Sequence, residues 1–187
     1  PKSFISRPNY YCIPANRTDI KDRIKSHGIK HQLLEKDSLI EVELLQVKNF
    51  KLQGSTTNQG RTRMNADFEP ILKKVRFLRG SMLVSTDQPL GTLACILLDP
   101  NSPDSFFQWG FFGDIAERTE YFEAYAMAPL ADEMMKNNPT LKSEFDAKCA
   151  SDEAFRNDQD ARLRWWYERS EWSDENWMVY PIGKIKN

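Results

Sequence analysis

The hydrophobic pattern of this chain changes near Pro100, from short extended segments to helical stripes. Before Pro100, apolar and acidic residues alternate over 40–44, as in a strand with one buried face. After Pro100, apolar residues recur every three or four positions, as in Leu141, Phe145 and Cys149. A strand-rich region followed by a helix-rich region predicts an α+β fold.

The N-terminal third predicts a strand–helix–strand unit. Residues 10–13 form an apolar strand candidate, Thr18 is a candidate helix N-cap, and Gly28 stands where a helix-terminating glycine belongs. A second strand is expected within 29–34, parallel to the first if both join one sheet. This βαβ-like unit predicts a mixed sheet, to which further extended segments would add at 39–52, 68–77 and 82–84.

A compact helix is expected just before Pro100. Pro89 suits its first position, and Pro100 ends it. Its apolar residues form one wide stripe: Leu90, Leu93, Ala94, Leu97 and Leu98. Because this stripe needs a partner surface, we expect one domain over 1–187, strand-rich at 9–86, helix-rich at 87–175 and closed by a return strand at 177–182.

Composition limits the classes of partner. The 187 residues are 40% apolar and 28% charged, with a net charge of −1, which does not suggest a nucleic-acid partner. The basic residues within 48–76 are interpreted as a solvated sheet face. The longest apolar run, 93–98, is too short to span a membrane. Cys12, Cys95 and Cys149 are widely spaced and are expected to be buried thiols.

Residues that could carry catalysis are sparse. His27 and His31 are four apart, as in a helical zinc pair, but Gly28 between them is expected to end the helix, so no metal site is predicted. Neither histidine begins an H-x-x-E pair. An acidic stretch offers an alternative, a carboxylate pair for acid–base work, although solvated helix faces explain it equally: Glu117, Glu120, Glu123, Asp132 and Glu133.

The segment 104–112 is the most unusual local feature, with four Phe and one Trp around Gly110. These rings would either line a groove for a peptide or sugar or fill the core between sheet and helices. The candidate binding or domain-interface residues are Asp104, Ser105, Trp109, Phe111, Phe112 and Tyr121.

Several segments, taken in order, resemble a known protein region. They are 11–14, 26–29, 40–43, 80–90, 97–100, 102–105, 109–112, 120–121, 128–131, 162–163, 167–170 and 180–183. Together they resemble the region downstream of the peptidase domain in large bacterial zinc carboxypeptidase-like proteins, the carboxypeptidase A-like metallopeptidases. The resemblance covers roughly 9–185.

The resemblance implies a parent protein that removes C-terminal residues with zinc. Such peptidases need two His and one Glu on the metal and a separate catalytic Glu, and none of these can be assigned to this chain. The chain is therefore expected to be a non-catalytic accessory domain, with zinc only in the parent's peptidase domain.

The expected partners are that upstream peptidase domain and a peptide or peptidoglycan-type substrate. The compartment is left open, and would be periplasmic or secreted if the parent is exported. Two alternatives stay open: an autonomous peptide- or glycan-binding module, and a separate carboxylate-based hydrolase.

Overall fold

A computed structural model describes residues 7–56, 62–117 and 123–186, with the side chains of 54–56 left out. The chain divides into two compact units. The first consists of the described residues up to Glu117 and from Asn176 onward, and the second lies between them. The α+β prediction is confirmed. The expectation of one accessory domain over 1–187 stays a prediction, and Tyr121 and Glu120 lie outside the described residues.

The described residues of the first unit form six strands and two helices, with a short 3₁₀ helix at Gly113–Ala116. In chain order they are β1 (Tyr10–Ile13), α1 (Thr18–Ser26), β2 (Gln32–Leu33), β3 (Ser38–Thr56), β4 (Thr62–Phe77), β5 (Met82–Ser85), α2 (Gly91–Leu98) and β6 (Val179–Ile185). The strands form one sheet in the order β2-β5-β1-β6-β3-β4.

The pairing of these strands corrects one detail of the sequence prediction. All five pairings in the described sheet are antiparallel, so the sheet is not mixed. β1 and β2 do run in the same direction, as expected, since both are antiparallel to β5. They are not neighbours, because β5 lies between them and takes the hydrogen bonds that a parallel pair would have made.

The predicted return strand is present as β6. It pairs with β1 through Gly183 and Cys12, and with β3 through Tyr180 and Leu45. β6 therefore joins the β2-β5-β1 half of the sheet to the long β3–β4 ribbon.

Helix α1 ends as its sequence predicts. Gly28 has φ +71°, its N–H donates to the Lys25 carbonyl, and the Ile29 N–H donates to the Ile24 carbonyl. This pair of bonds is the Schellman motif, which favours glycine at the left-handed position. At the other end, Thr18 is the first helical residue and not the N-cap, since Arg17 precedes the helix and provides no side-chain cap.

Helix α2 buries most of the predicted stripe in the main core of the first unit, with Leu93 half-buried and Leu90 exposed just before the helix. Ala94, Leu97 and Leu98 are buried there with Ile20 and Ile24 of α1. The helix begins at Gly91, two residues after the predicted start at Pro89.

The opposite side chains of the strands form a second cluster, centred on Cys12, Val42, Leu44, Phe77 and Val179. Cys12 is fully buried, which confirms its interpretation as a structural thiol, while Cys95 and Cys149 are half-buried. Burial raises the pKa of the Cys12 thiol from 9.0 to about 12.

In the second unit, the part of the chain that the structure describes forms four helices: α3 (Ala124–Asn137), α4 (Pro139–Ser151), α5 (Glu153–Asn157) and α6 (Gln159–Tyr167). Its core contains Trp165 and Trp166 of α6 with Phe155 of α5. The Phe145 ring lies 5.3 Å from Trp165 and 5.0 Å from Trp166, centroid to centroid. Leu141, Phe145 and Cys149 pack together on this core, so the predicted α4 stripe is confirmed.

Aspartate and asparagine side chains divide this unit into separate helices. Asn138 accepts from the Leu141 N–H at 3.0 Å, Asp152 from Phe155 and Asp158 from Ala161, both at 2.9 Å. Each satisfies a donor that the first helical turn leaves unpaired. Among the described residues of both units, no helix combines the length and hydropathy needed to cross a membrane.

Gly183→Ala is expected to destabilise the first unit. A Cβ at Gly183 would lie 2.9 Å from Cβ and Cγ1 of Val42, and a packed β-branched side chain cannot move aside freely. We expect the free energy of unfolding in urea to fall by about 2 kcal/mol. Gly113→Ala is the matched control, because its Cβ would meet nothing within 4 Å, and it should change stability by less than about 0.5 kcal/mol. Equal effects would contradict the packing argument.

Stability should fall steeply above pH 9 because of Cys12. Because the pKa of the Cys12 thiol is raised in the folded state, folding favours the neutral thiol. This stabilisation is complete below pH 9 and is lost as the pH rises towards 12. Between these values, one extra proton bound by the folded state gives a slope of about −1.4 kcal/mol per pH unit. Urea unfolding from pH 8 to 11 should show this extra slope in the wild type and not in Cys12→Ala. Parallel curves would refute the assignment.

Candidate functional site

The aromatic segment 104–112 folds back against α2 in a series of turns. The Phe106 N–H donates to the Leu97 carbonyl, and the Phe111 N–H donates to the Phe106 carbonyl. Gly110, with φ +79°, occupies a left-handed position that favours glycine. The Gln108 carbonyl accepts from Met64 on β4, so the segment is also attached to the sheet.

Most rings of the segment belong to the core. Phe107 is fully buried, edge-on to Phe68 at 5.0 Å and to Tyr180 at 6.0 Å. Phe112 is also fully buried, with its centroid 4.7 Å from that of Tyr180. These rings therefore fill the core of the first unit and do not line a groove.

The candidate residues of the segment 104–112 differ in their exposure to solvent. Ser105 is buried, and its hydroxyl accepts from the Gln108 N–H at 3.3 Å. Phe111 is half-buried, whereas Asp104 is exposed. Trp109 is 40% exposed, so it is the aromatic residue of 104–112 that offers a contact surface. Ser105, Phe111 and Phe112 are buried or half-buried, so they can contribute only by supporting the Trp109 ring.

Arginines from distant elements lie on these rings. The guanidinium carbon of Arg63 on β4 lies 4.5 Å from the Trp109 centroid, and Arg63 also donates to the Pro103 carbonyl at 3.3 Å. Arg17 lies 5.2 Å from the Phe112 ring and forms a 2.7 Å ion pair with Asp114. Such cation–π contacts orient both groups. We call the pair of the exposed Trp109 and the half-buried Arg63 the Trp109 surface.

A buried ion pair lies deeper in the same unit. Lys184 Nζ of β6 is 2.6 Å from Asp99 Oδ2 at the end of α2, and their side chains are 8% and 0% exposed. The other carboxylate oxygen, Oδ1, accepts from the backbone N–H of Asn101 at 3.0 Å. The sequence analysis did not predict this ion pair. Its one signal in the sequence is Asp99, an acidic residue directly between an apolar helix and Pro100.

Two tyrosines accompany the ion pair. The Tyr180 hydroxyl donates to the Leu98 carbonyl at 2.9 Å. The Tyr11 hydroxyl has no nitrogen or oxygen partner among the described residues and faces the Cys95 thiol. Burial, and then the charge of Asp99, raises the pKa of both phenols, and burial also raises the pKa of Cys95. The raised pKa values favour the neutral, weakly nucleophilic forms of these three groups.

The other residues with catalytic potential are not brought together. The described carboxylates at 117, 123, 132 and 133 are all exposed. His27 is exposed at the C-cap position of α1. Within residues 7–56, 62–117 and 123–186, no three His, Cys, Asp or Glu side chains converge as a metal site would require.

Comparison with known proteins relates the chain to carboxypeptidases. It is 30% identical over 105 residues to the Carboxypeptidase 2 proteins of Trichophyton tonsurans and Trichophyton equinum. The aligned part is 56% of this chain and 19% of each relative, so it corresponds to a small part of their length. No known family profile matches the chain, and no solved structure matches it.

Removal of the buried lysine charge should destabilise the first unit strongly. Lys184→Met leaves Asp99 buried without its counter-ion, which costs about 3–5 kcal/mol of unfolding free energy. Lys186→Met is the matched control, since Lys186 pairs with Glu43 at a more exposed position, and it should cost less than about 1 kcal/mol. In urea unfolding, the double variant Asp99→Asn with Lys184→Met should lose less than Lys184→Met alone. Equal losses for the two lysine variants would show that the pair contributes little.

Proposed function

We propose that this chain is an accessory domain of a zinc carboxypeptidase-like protein, which supports the peptidase domain or its substrate access. The observation that carries the proposal is the 30% identity to Carboxypeptidase 2 over 105 residues, in an alignment that covers 19% of that relative. The ordered resemblance over roughly 9–185 supports it further. The bacterial origin of the parent stays a prediction, and its compartment stays open.

In this proposal, zinc belongs to the parent's peptidase domain. The donor set that a catalytic zinc needs, three protein ligands with an open position, is not assembled among the described residues of this chain. We therefore assign no catalytic step to the chain itself. In this proposal, the chain would contribute by contacting the peptidase domain and by shaping the access of substrate to it.

The Trp109 surface is the proposed contact with the peptidase domain. Tryptophan and arginine are the residues most enriched at the energetic centres of protein interfaces. Trp109 is half exposed and held by Arg63, so its ring is oriented before any partner arrives, which lowers the entropy lost on docking. The exposed Asp104 lies in the same segment and provides a polar rim.

One observation favours a second candidate function. An exposed tryptophan beside an arginine is also a platform on which a peptide or sugar ring can stack. The chain would then be an autonomous peptide- or glycan-binding module. Titration with peptidoglycan fragments would change the fluorescence of the wild type and not of Trp109→Phe.

Hydrogen exchange tests the proposed contact. We expect the peptides covering 105–112 and 62–65 to exchange more slowly in the full-length parent protein than in the isolated chain, because docking would cover the Trp109 surface. Trp109→Ala in the parent should remove this protection. Trp172→Ala is the matched control, since Trp172 is 64% exposed in the second unit. Identical exchange at 105–112 in both proteins would reject docking at this surface.

The accessory role has its own test. The isolated chain is expected to release no C-terminal residues from peptides and to purify without stoichiometric zinc. The full-length parent is expected to release C-terminal residues and to purify with zinc bound. Zinc content by mass spectrometry and release of the last amino acid are the measurements. Carboxypeptidase activity with one zinc per isolated chain would refute the accessory role.

A further inference from the structure

A basic cleft opens on the first unit, away from the residues discussed so far. Its volume is about 630 Å³, within the range of small-ligand sites. It lies where the end of α1 meets β1, β2 and β5, and its lining residues are Tyr10, Lys25, Gly28, Ile29, Lys30, His31, Gln32, Leu83 and Ser85.

The charges of the cleft are all of one sign. Lys25 and Lys30 line it together with His31, and no lining residue is acidic, although the chain as a whole has a net charge of −1. Lys25 forms a 3.1 Å ion pair with Asp22, but both side chains are largely exposed, so this pair competes weakly with a ligand. Lys30 forms no ion pair with any described residue, and its ammonium group is available to an anion.

The Gln88 side chain holds the backbone at this cleft in place. Gln88 donates to the Lys30 carbonyl at 2.9 Å and accepts from the Lys30 N–H at 2.8 Å, which fixes the segment between α1 and β2. A Cβ at Gly28 would meet nothing within 4 Å, so the cleft stays open above the turn. A site formed in advance loses little entropy when a ligand binds.

His31 defines the second polar contact. Its Nδ1 lies 3.0 Å from the Ile29 carbonyl oxygen, so in the neutral ring this nitrogen carries the proton and donates. Nε2 is then left as an acceptor. Leu83 and Tyr10, which is 40% exposed, provide apolar surface, and Ser85 completes the lining, whereas the Ile29 side chain is 2% exposed and belongs to the main core.

We infer that this cleft binds the C-terminal end of a peptide through its free α-carboxylate. That ligand offers an anion to Lys25 and Lys30, an amide N–H to His31 Nε2 and an apolar side chain to Leu83 and the Tyr10 ring. A phosphate matches the cations alone and leaves the acceptor and the apolar wall unused. The cleft itself argues for an anionic ligand with an apolar part, and the choice of a peptide among such ligands rests on the proposed function.

Calorimetric titration of the complete chain tests this inference. The probe is acetyl-Ala-Ala-Leu with a free carboxylate, compared with its C-terminal amide and with inorganic phosphate. We expect the free acid to bind at least about tenfold more tightly than the amide or phosphate, because the charge-assisted contacts are lost with either. Equal binding of acid and amide, tighter binding of phosphate, or no binding of the acid would overturn the inference.

Variants locate the binding. Lys30→Gln should weaken binding of the free acid about tenfold, as expected for loss of a charged hydrogen bond. Lys36→Gln removes the same charge from an exposed residue outside the cleft and should leave binding unchanged. Loss of binding in Trp109→Phe, with none in Lys30→Gln, would place the peptide on the Trp109 surface and overturn the cleft assignment. Failure here leaves the hydrogen-exchange result intact, so it is distinguishable from failure of the proposed accessory role.

Discussion

The Lys184–Asp99 ion pair joins the last strand of the chain to the end of α2. Lys184 lies on β6, between the two halves of the sheet, and Asp99 ends the helix that covers the main core. Two charges withdrawn from water are stable only while each keeps its partner, so this contact penalises any shift of β6 against α2. The Tyr180 hydroxyl bond to the Leu98 carbonyl adds a second polar connection at the same junction. A hydrophobic contact alone would tolerate a change of register that these directional contacts do not.

Local patterns in the sequence predicted the elements well, and the pairing of those elements poorly. Alternation at 40–44, the glycine after α1 and the stripe of α2 each depend on neighbouring residues, so reading the sequence recovers them. The insertion of β5 between β1 and β2 depends on contacts about fifty residues apart with β2 and about seventy residues apart with β1. No local signal specifies that arrangement, and the mixed-sheet prediction followed from assuming that strands close in sequence are neighbours in space.

The candidate site shows the same division. The composition of 104–112 marked the segment, but could not show which rings are buried. Burial is decided by Tyr180 and Phe68, which surround Phe107, and by Arg63, which holds Trp109 near the surface. The basic cleft was not predicted, because Lys25, Lys30, Tyr10 and Ser85 come from separate elements and meet only when the sheet forms.

The position of β6 has a consequence for biosynthesis. The chain leaves the first unit after Glu117, forms the whole helical unit and then returns to supply a central strand. A ribosome therefore completes the helical unit while the sheet still has a gap between β1 and β3, each with an unpaired edge. Such edges can pair with other chains, and the nascent first unit is exposed to misassembly until β6 (Val179–Ile185) has been synthesised. Deletion of β6 would leave that gap permanently open.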